Sequence, residues 1–246
     1  MPENDSAEKR IKSPLGGATS QAVVVRALIG GAFVVLLIVL VAMMFTRGSD
    51  EESSSSEESP SDTTAGVDTE LIVREDSHLL DEAPESDVTF VEFLDFECEA
   101  CGAVYPAVEE LREEYEGQIN FVIRYFPLDG HPNSRQAAHA VEAAARQGEL
   151  EPMYQRMFET QEEWGHNEEP QDEVFRGFAE ELGLDVEEWE SDYHSDEVAE
   201  RVQADFEDAE ELGLRGTPSF FVNDQQLAPE SLDDLTDPID EALEEQ

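Results

Sequence analysis

Residues 88–101 read VTFVEFLDFECEAC. The first nine, Val88–Phe96, are aromatic and β-branched and predict a mostly buried strand. The last four, Cys98-Glu99-Ala100-Cys101, hold both cysteines of the chain. Beyond them Val104, Val108, Leu111 and Tyr115 recur at helical spacing, and Gly117 can cap that helix. The cysteines therefore lie where a strand ends and a helix begins. Unsatisfied N–H groups and the helix dipole favour negative charge there, so a thiolate in the first turn is stabilised. Thiolates are the attacking species in disulfide exchange, and this spacing lets the two sulfurs close a small reversible disulfide. A zinc site needs four ligands, but no second cysteine pair or suitably spaced histidine pair accompanies these two. A purely structural disulfide across so short a loop stabilises weakly.

Ile119–Phe126 reads as a second strand. A helical stretch of about 134–212 follows, in pieces near 134–147, 150–163, 171–183, 185–192 and 196–212, broken by Gly148, Gly165, Pro170 and Gly183. Trp164 and Trp189, with Phe158, Phe175, Phe178 and Phe206, are expected to form its core. Ser219–Val222 and Gln225–Leu227 predict a hairpin around Asn223-Asp224. Ser231 is expected to cap a last helix that contains Pro238. Strand, helix, strand, helical insertion, hairpin and helix make an α/β domain over 70–246.

Outside this domain the composition changes. Residues 27–45, ALIGGAFVVLLIVLVAMMF, carry no charge and suffice for one membrane span. Lys9, Arg10, Lys12 and Arg26 precede it, so the positive-inside rule puts residues 1–26 in the cytoplasm and the domain outside the cell membrane. Residues 46–69 are rich in serine and acid and predict a disordered stalk. The whole chain has 61 acidic against 14 basic residues, a formal charge of −47. So acidic a body repels phosphate backbones, which excludes a nucleic-acid binder.

Four segments carry a resemblance: VTFVEFLDFE running into CEAC, Pro106 within the following helix, RYFPLDGHPNSRQAA (124–138), and LRGTPSFFVN (214–223). In these the chain resembles the membrane-anchored DsbA-like thiol–disulfide oxidoreductases of the thioredoxin superfamily. The implied fold is thioredoxin-like with a helical insertion. The resemblance implies that Cys98 is the exposed nucleophile, Cys101 the more buried resolving thiol, and Thr217-Pro218 a cis peptide facing the pair. Glu92, six residues before Cys98, stands where such proteins often bury an acid that exchanges protons with the resolving thiol. The competing reading lets Glu92 reach solvent at the sheet end.

The resemblance further implies disulfide exchange with cysteines of secreted or envelope proteins, as an oxidase recycled by a membrane redox partner, with no metal or organic cofactor. The rival readings are a reductase or isomerase on the same fold, and a redox-inert binding or chaperone module. His131-Pro132-Asn133 is expected to shape a loop and cap the helix near Ser134 rather than supply a base. His139, His166 and His194 are expected to be solvated. Glu97 and Glu99 flank Cys98, and their charges are expected to oppose its thiolate.

Overall fold

A computed structural model of the chain describes residues 69–246. The N-terminal segment, the expected span at 27–45 and the stalk up to residue 68 lie outside these residues. Among the described residues no helix is long and apolar enough to cross a membrane. The elements in order are α1 (Thr69–Ile72), β1 (His78–Asp81), β2 (Thr89–Leu94), α2 (Glu99–Glu114) and β3 (Asn120–Tyr125). The insertion follows as α3 (Ser134–Ala145), α4 (Leu150–Glu159), α5 (Gln161–Trp164), α6 (Asp172–Leu182), α7 (Val186–Tyr193) and α8 (Asp196–Glu211). The chain closes with β4 (Ser219–Val222), β5 (Gln225–Leu227) and α9 (Asp233–Glu244).

The strands form one sheet in the order β1-β3-β2-β4-β5. β2 and β3 are parallel, joined by α2, and the other pairs are antiparallel. Side chains alternate across the sheet as the two-residue strand period requires. Phe90, Phe121, Phe220 and Val222 face a core shared with Val108 and Leu111 of α2 and Leu235 and Ile239 of α9. Val91, Phe93, Val122 and Phe221 face the opposite core, with Ile72 and with Ala209 of α8. Apolar runs covered on both faces explain why these strands read as nearly continuous hydrophobic segments.

On that second face Arg124 is fully buried. Its guanidinium donates to Asp205 at 2.7 Å, to Asp208 at 2.6 Å, and to the carbonyls of Leu71 and Ile72. One cation thus joins β3, α8 and the start of the domain. The insertion has its own core of Trp164, Trp189, Phe158, Phe175 and Phe178, which is continuous with Leu94, Phe96, Cys98 and Cys101. Phe206 instead packs with Phe126 over the sheet. The helix breaks have local causes. Gly183 ends α6 at φ +79°, Asp185 accepts from the N–H groups of Glu187 and Glu188, and Ser195 caps α8 through the N–H of Val198.

Three expectations change. β1 was not anticipated: HLLD is short, and its polar ends hide the strand pattern. Ser231 does not cap the last helix; its N–H and hydroxyl both donate to Asp234, which carries the charge suited to collecting them. Asn133 occupies the residue before α3 but makes no side-chain cap. Its carboxamide instead spans to the Asn167 carbonyl and the Gln171 N–H, because Asn133 is itself buried and its polar atoms need partners.

Candidate active site

Cys98 holds the N-cap position of α2 with extended backbone, and Cys101 lies one turn inside the helix. The Cys98 carbonyl accepts the first helical bond from Gly102 N–H at 3.0 Å, and the Cys98 N–H donates to the Asp95 carbonyl at 3.1 Å. Both cysteines are free thiols; Cys98 keeps 7% of its surface and Cys101 none. The register of β2 against β4 pairs Phe93 with Ser219. That pairing delivers the residues before Ser219 to the end of β2, beside the cysteines. The Thr217-Pro218 peptide is cis, and Cys98 Sγ donates to the Thr217 carbonyl at 3.4 Å.

The two thiols are electrostatically unlike. The Cys101 thiol, chiefly, draws the Cys98 pKa down to about 5, and the N–H groups of Cys101 and Ala100 add to this against the cost of burial. Burial, chiefly, pushes Cys101 well above the ordinary thiol value, and the bond to Cys98 and the charge of Glu92 push it the same way. Glu92 is buried on β2, which decides against its reaching solvent. Burial, then the charges of Glu109 and Cys98, push its carboxyl up to about 8.

The flanking carboxylates are already engaged. Glu97 is fully buried and accepts from Asn133 N–H at 2.6 Å and His166 N–H at 2.9 Å. Glu99 is exposed and pairs with His166 Nε2 at 3.3 Å. Sequence reasoning assigned three contributors no place in this site: Asp95, His131 and Gln161. Asp95 is buried; it accepts from the N–H groups of Glu97 and Leu128 and contacts His131 Nδ1 at 2.6 Å. His131 is thus tied to the cysteine turn and leaves the capping of α3 to other groups. Gln161 donates to the carbonyls of Phe96 at 2.7 Å and Cys98 at 2.9 Å. Asp95 and Glu97 did leave a signal: two acids among Leu94, Phe96 and Cys98 at a strand end are costly to bury without partners. Nothing in the sequence marks Gln161. A groove lined by Glu99, Gly102, Phe158, Glu162 and His166 runs beside the start of α2.

Comparison with known proteins places the fold. A family profile described as Thioredoxin matches residues 82–241. A thioredoxin-like oxidoreductase from Silicibacter pomeroyi DSS-3 is 29% identical, with TM-score 0.60 over 71% of this chain and 97% of that one. The thiol-disulfide exchange protein alpha-DsbA2 from Wolbachia pipientis shares the fold at 22% identity and TM-score 0.60, over 70% of this chain and 90% of that one. BdbD from Bacillus subtilis does so at 19% and 0.59, over 68% and 93%. Among curated proteins, the Na(+)/H(+) antiporter NhaA 1 of Mycobacterium sp. (strain KMS) is 37% identical over 145 residues, 57% of this chain. That match spans 22% of the antiporter, so most of the antiporter's length has no counterpart in it.

Proposed function

The chain belongs to the thioredoxin family matched over residues 82–241, and on that premise we propose that it is a DsbA-like thiol–disulfide oxidoreductase that oxidises protein thiols through Cys98 and Cys101. The observation that carries this reading is the asymmetry of the pair: Cys98 caps α2 with part of its surface open and its sulfur against the cis Thr217-Pro218 peptide, and Cys101 is fully buried one turn behind it.

In the oxidising direction a substrate thiolate attacks Cys98 Sγ of the disulfide. The Cys98–Cys101 bond breaks, and Cys101 leaves and takes up a proton, for which buried Glu92 is the adjacent donor. A second substrate thiolate then attacks the substrate sulfur of the mixed disulfide, and Cys98 leaves as a thiolate. Two substrate thiols become one disulfide, and the protein gains two electrons as a dithiol. A low-pKa thiol is a good leaving group and stabilises the reduced protein, which favours the oxidase over the reductase reading. Thr217 and Pro218 would receive the substrate backbone as an added strand beside the sulfurs.

The charge pattern around residues 27–45 supports an extracytoplasmic domain tethered to the cell membrane. Secreted or envelope proteins would then be its substrates, and a membrane redox protein would restore the disulfide. Equilibrating the full chain with glutathione buffers tests the direction. A potential well above that of the glutathione couple supports the oxidase, and one at or below it supports the reductase. Loss of dithiol-peptide turnover in Cys98→Ser separates both from a redox-inert module.

A further inference from the structure

No basic residue stands between the two cysteines, where Glu99 and Ala100 lie. The structure brings one from elsewhere. His131 sits on the loop after β3, 2.6 Å from Asp95, and its side chain is 19% exposed. The same Asp95 carboxylate accepts from Glu97 and Leu128 N–H, and the Asp95 carbonyl accepts from Cys98 N–H. One buried residue thereby fixes the turn that presents Cys98 and the loop that presents His131. The His166 ring meets the His131 ring edge-on at 5.7 Å and directs its own Nε2 to Glu99.

We propose that His131, oriented by Asp95, is the cationic counterpart of the Cys98 thiolate, so that reducing the Cys98–Cys101 disulfide is coupled to proton uptake at this imidazole. The proposal rests on Cys98 being the redox thiol of the preceding section. Three elements supply the groups that act on the ring: Asp95 and Glu97 after β2, Cys98 at the start of α2, and His166 after α5. Burial works against charging the imidazole. The Asp95 hydrogen bond, and then the charges of Asp95, Cys98 and Glu97, overcome that and raise its pKa. Linkage makes the effect reciprocal. A thiolate that favours imidazolium is itself favoured by it, whereas a disulfide offers no such charge. Reduction therefore delivers two electrons to the sulfurs, one proton to Cys101 and a share of a second to His131. His131 acts on Cys98 as a positioned charge and takes no part in bond making.

The direct test is an NMR titration of the imidazole protons in the full chain, with His131 assigned by comparison with His131→Gln. The His131 pKa should be higher in the reduced than in the oxidised protein by on the order of 1 unit, and Cys98→Ser should give the lower, oxidised-like value. An unchanged His131 pKa across the three proteins would overturn the proposal. This readout needs no substrate, so a failure of peptide oxidation leaves it standing and separately judged. Thiolate absorbance supplies the second arm. The Cys98 pKa should rise in His131→Gln and return towards wild type in His131→Lys; equal values in all three would also overturn it.

Discussion

Gln161, on the helical insertion, donates one amide proton to the carbonyl of Cys98, on the thioredoxin sheet's own helix, at 2.9 Å. Its other proton goes to the carbonyl of Phe96 at 2.7 Å. The insertion therefore holds the backbone on both sides of Glu97 and fixes where Cys98 enters α2. A helical domain added to a small α/β fold here contributes directly to the geometry of the reactive turn.

Gly102 is what allows Gln161 so close. A Cβ at residue 102 would lie 2.1 Å from Gln161 Oε1 and 2.8 Å from its Cδ. Gly102→Ala should force the amide off both carbonyls and cost on the order of 1–3 kcal/mol in chemical denaturation. In a Gln161→Ala background the same change should cost far less, because the clash is gone. Equal costs in the two backgrounds would show that the two residues do not compete.

The depressed Cys98 pKa has a defined effect on stability. An unfolded thiol ionises near 9.0, and this one is brought to about 5. A lowered pKa gives stability that is fully present above the unfolded value and lost as pH falls through the folded one. The reduced wild type should therefore gain on Cys98→Ser steadily from pH 5 to pH 9. Parallel melting curves over that window would mean that the thiol is not perturbed.

Glu92 works with the opposite sign. Its pKa is raised from 4.5 to about 8, so its contribution is fully present below 4.5 and fades as pH climbs through 8. Glu92→Gln, which cannot ionise, should overtake wild type in stability between pH 5 and 9. If Glu92 also serves Cys101, the same variant should slow resolution of mixed disulfides while leaving their formation unchanged. A variant that tracks wild type in both respects would remove Glu92 from the mechanism.

The buried cation on the far face offers a stability test remote from the sulfurs. Arg124→Met leaves Asp205 and Asp208 without their shared partner and should cost about 3–5 kcal/mol. Arg176 is partly exposed, with Glu180 and Glu190 beside it, and Arg176→Met should change the denaturation midpoint little. Comparable losses in the two variants would mean that the Arg124 network is not held dry.

Much of this molecule was legible before its structure. The strand ending at Phe96, the helix opening at Cys98, the hairpin 219–227 and the insertion's breaks follow from periodicity and from local capping residues. The cis Thr217-Pro218 peptide came from the family resemblance, since spacing says nothing of a peptide's isomer. The partners of Cys98 were harder to find. Asp95 and Glu97 are local to it, but His131 and Gln161 arrive from 33 and 63 residues later, through loop geometry and helix packing that no short-range pattern encodes. His131 was expected to help cap α3, because a histidine before a helix start looks the same whether it faces the helix or a buried carboxylate. The surroundings of Glu97 were hidden for a related reason. Its carboxylate is turned to the N–H groups of Asn133 and His166, contacts that exist only once the insertion is docked.

The division of labour between the two sulfurs is the centre of this account, and trapping tests it most directly. The full chain as Cys101→Ser, with Cys98 free, is mixed with a disulfide-bonded peptide, and the products are mapped by mass spectrometry without reductant. A stable mixed disulfide on Cys98 should accumulate, and Cys98→Ser, with Cys101 free but buried, should yield almost none. Comparable adducts on Cys101 in the Cys98→Ser protein, or no adduct in either, would contradict the assignment of Cys98 as the exchanging thiol.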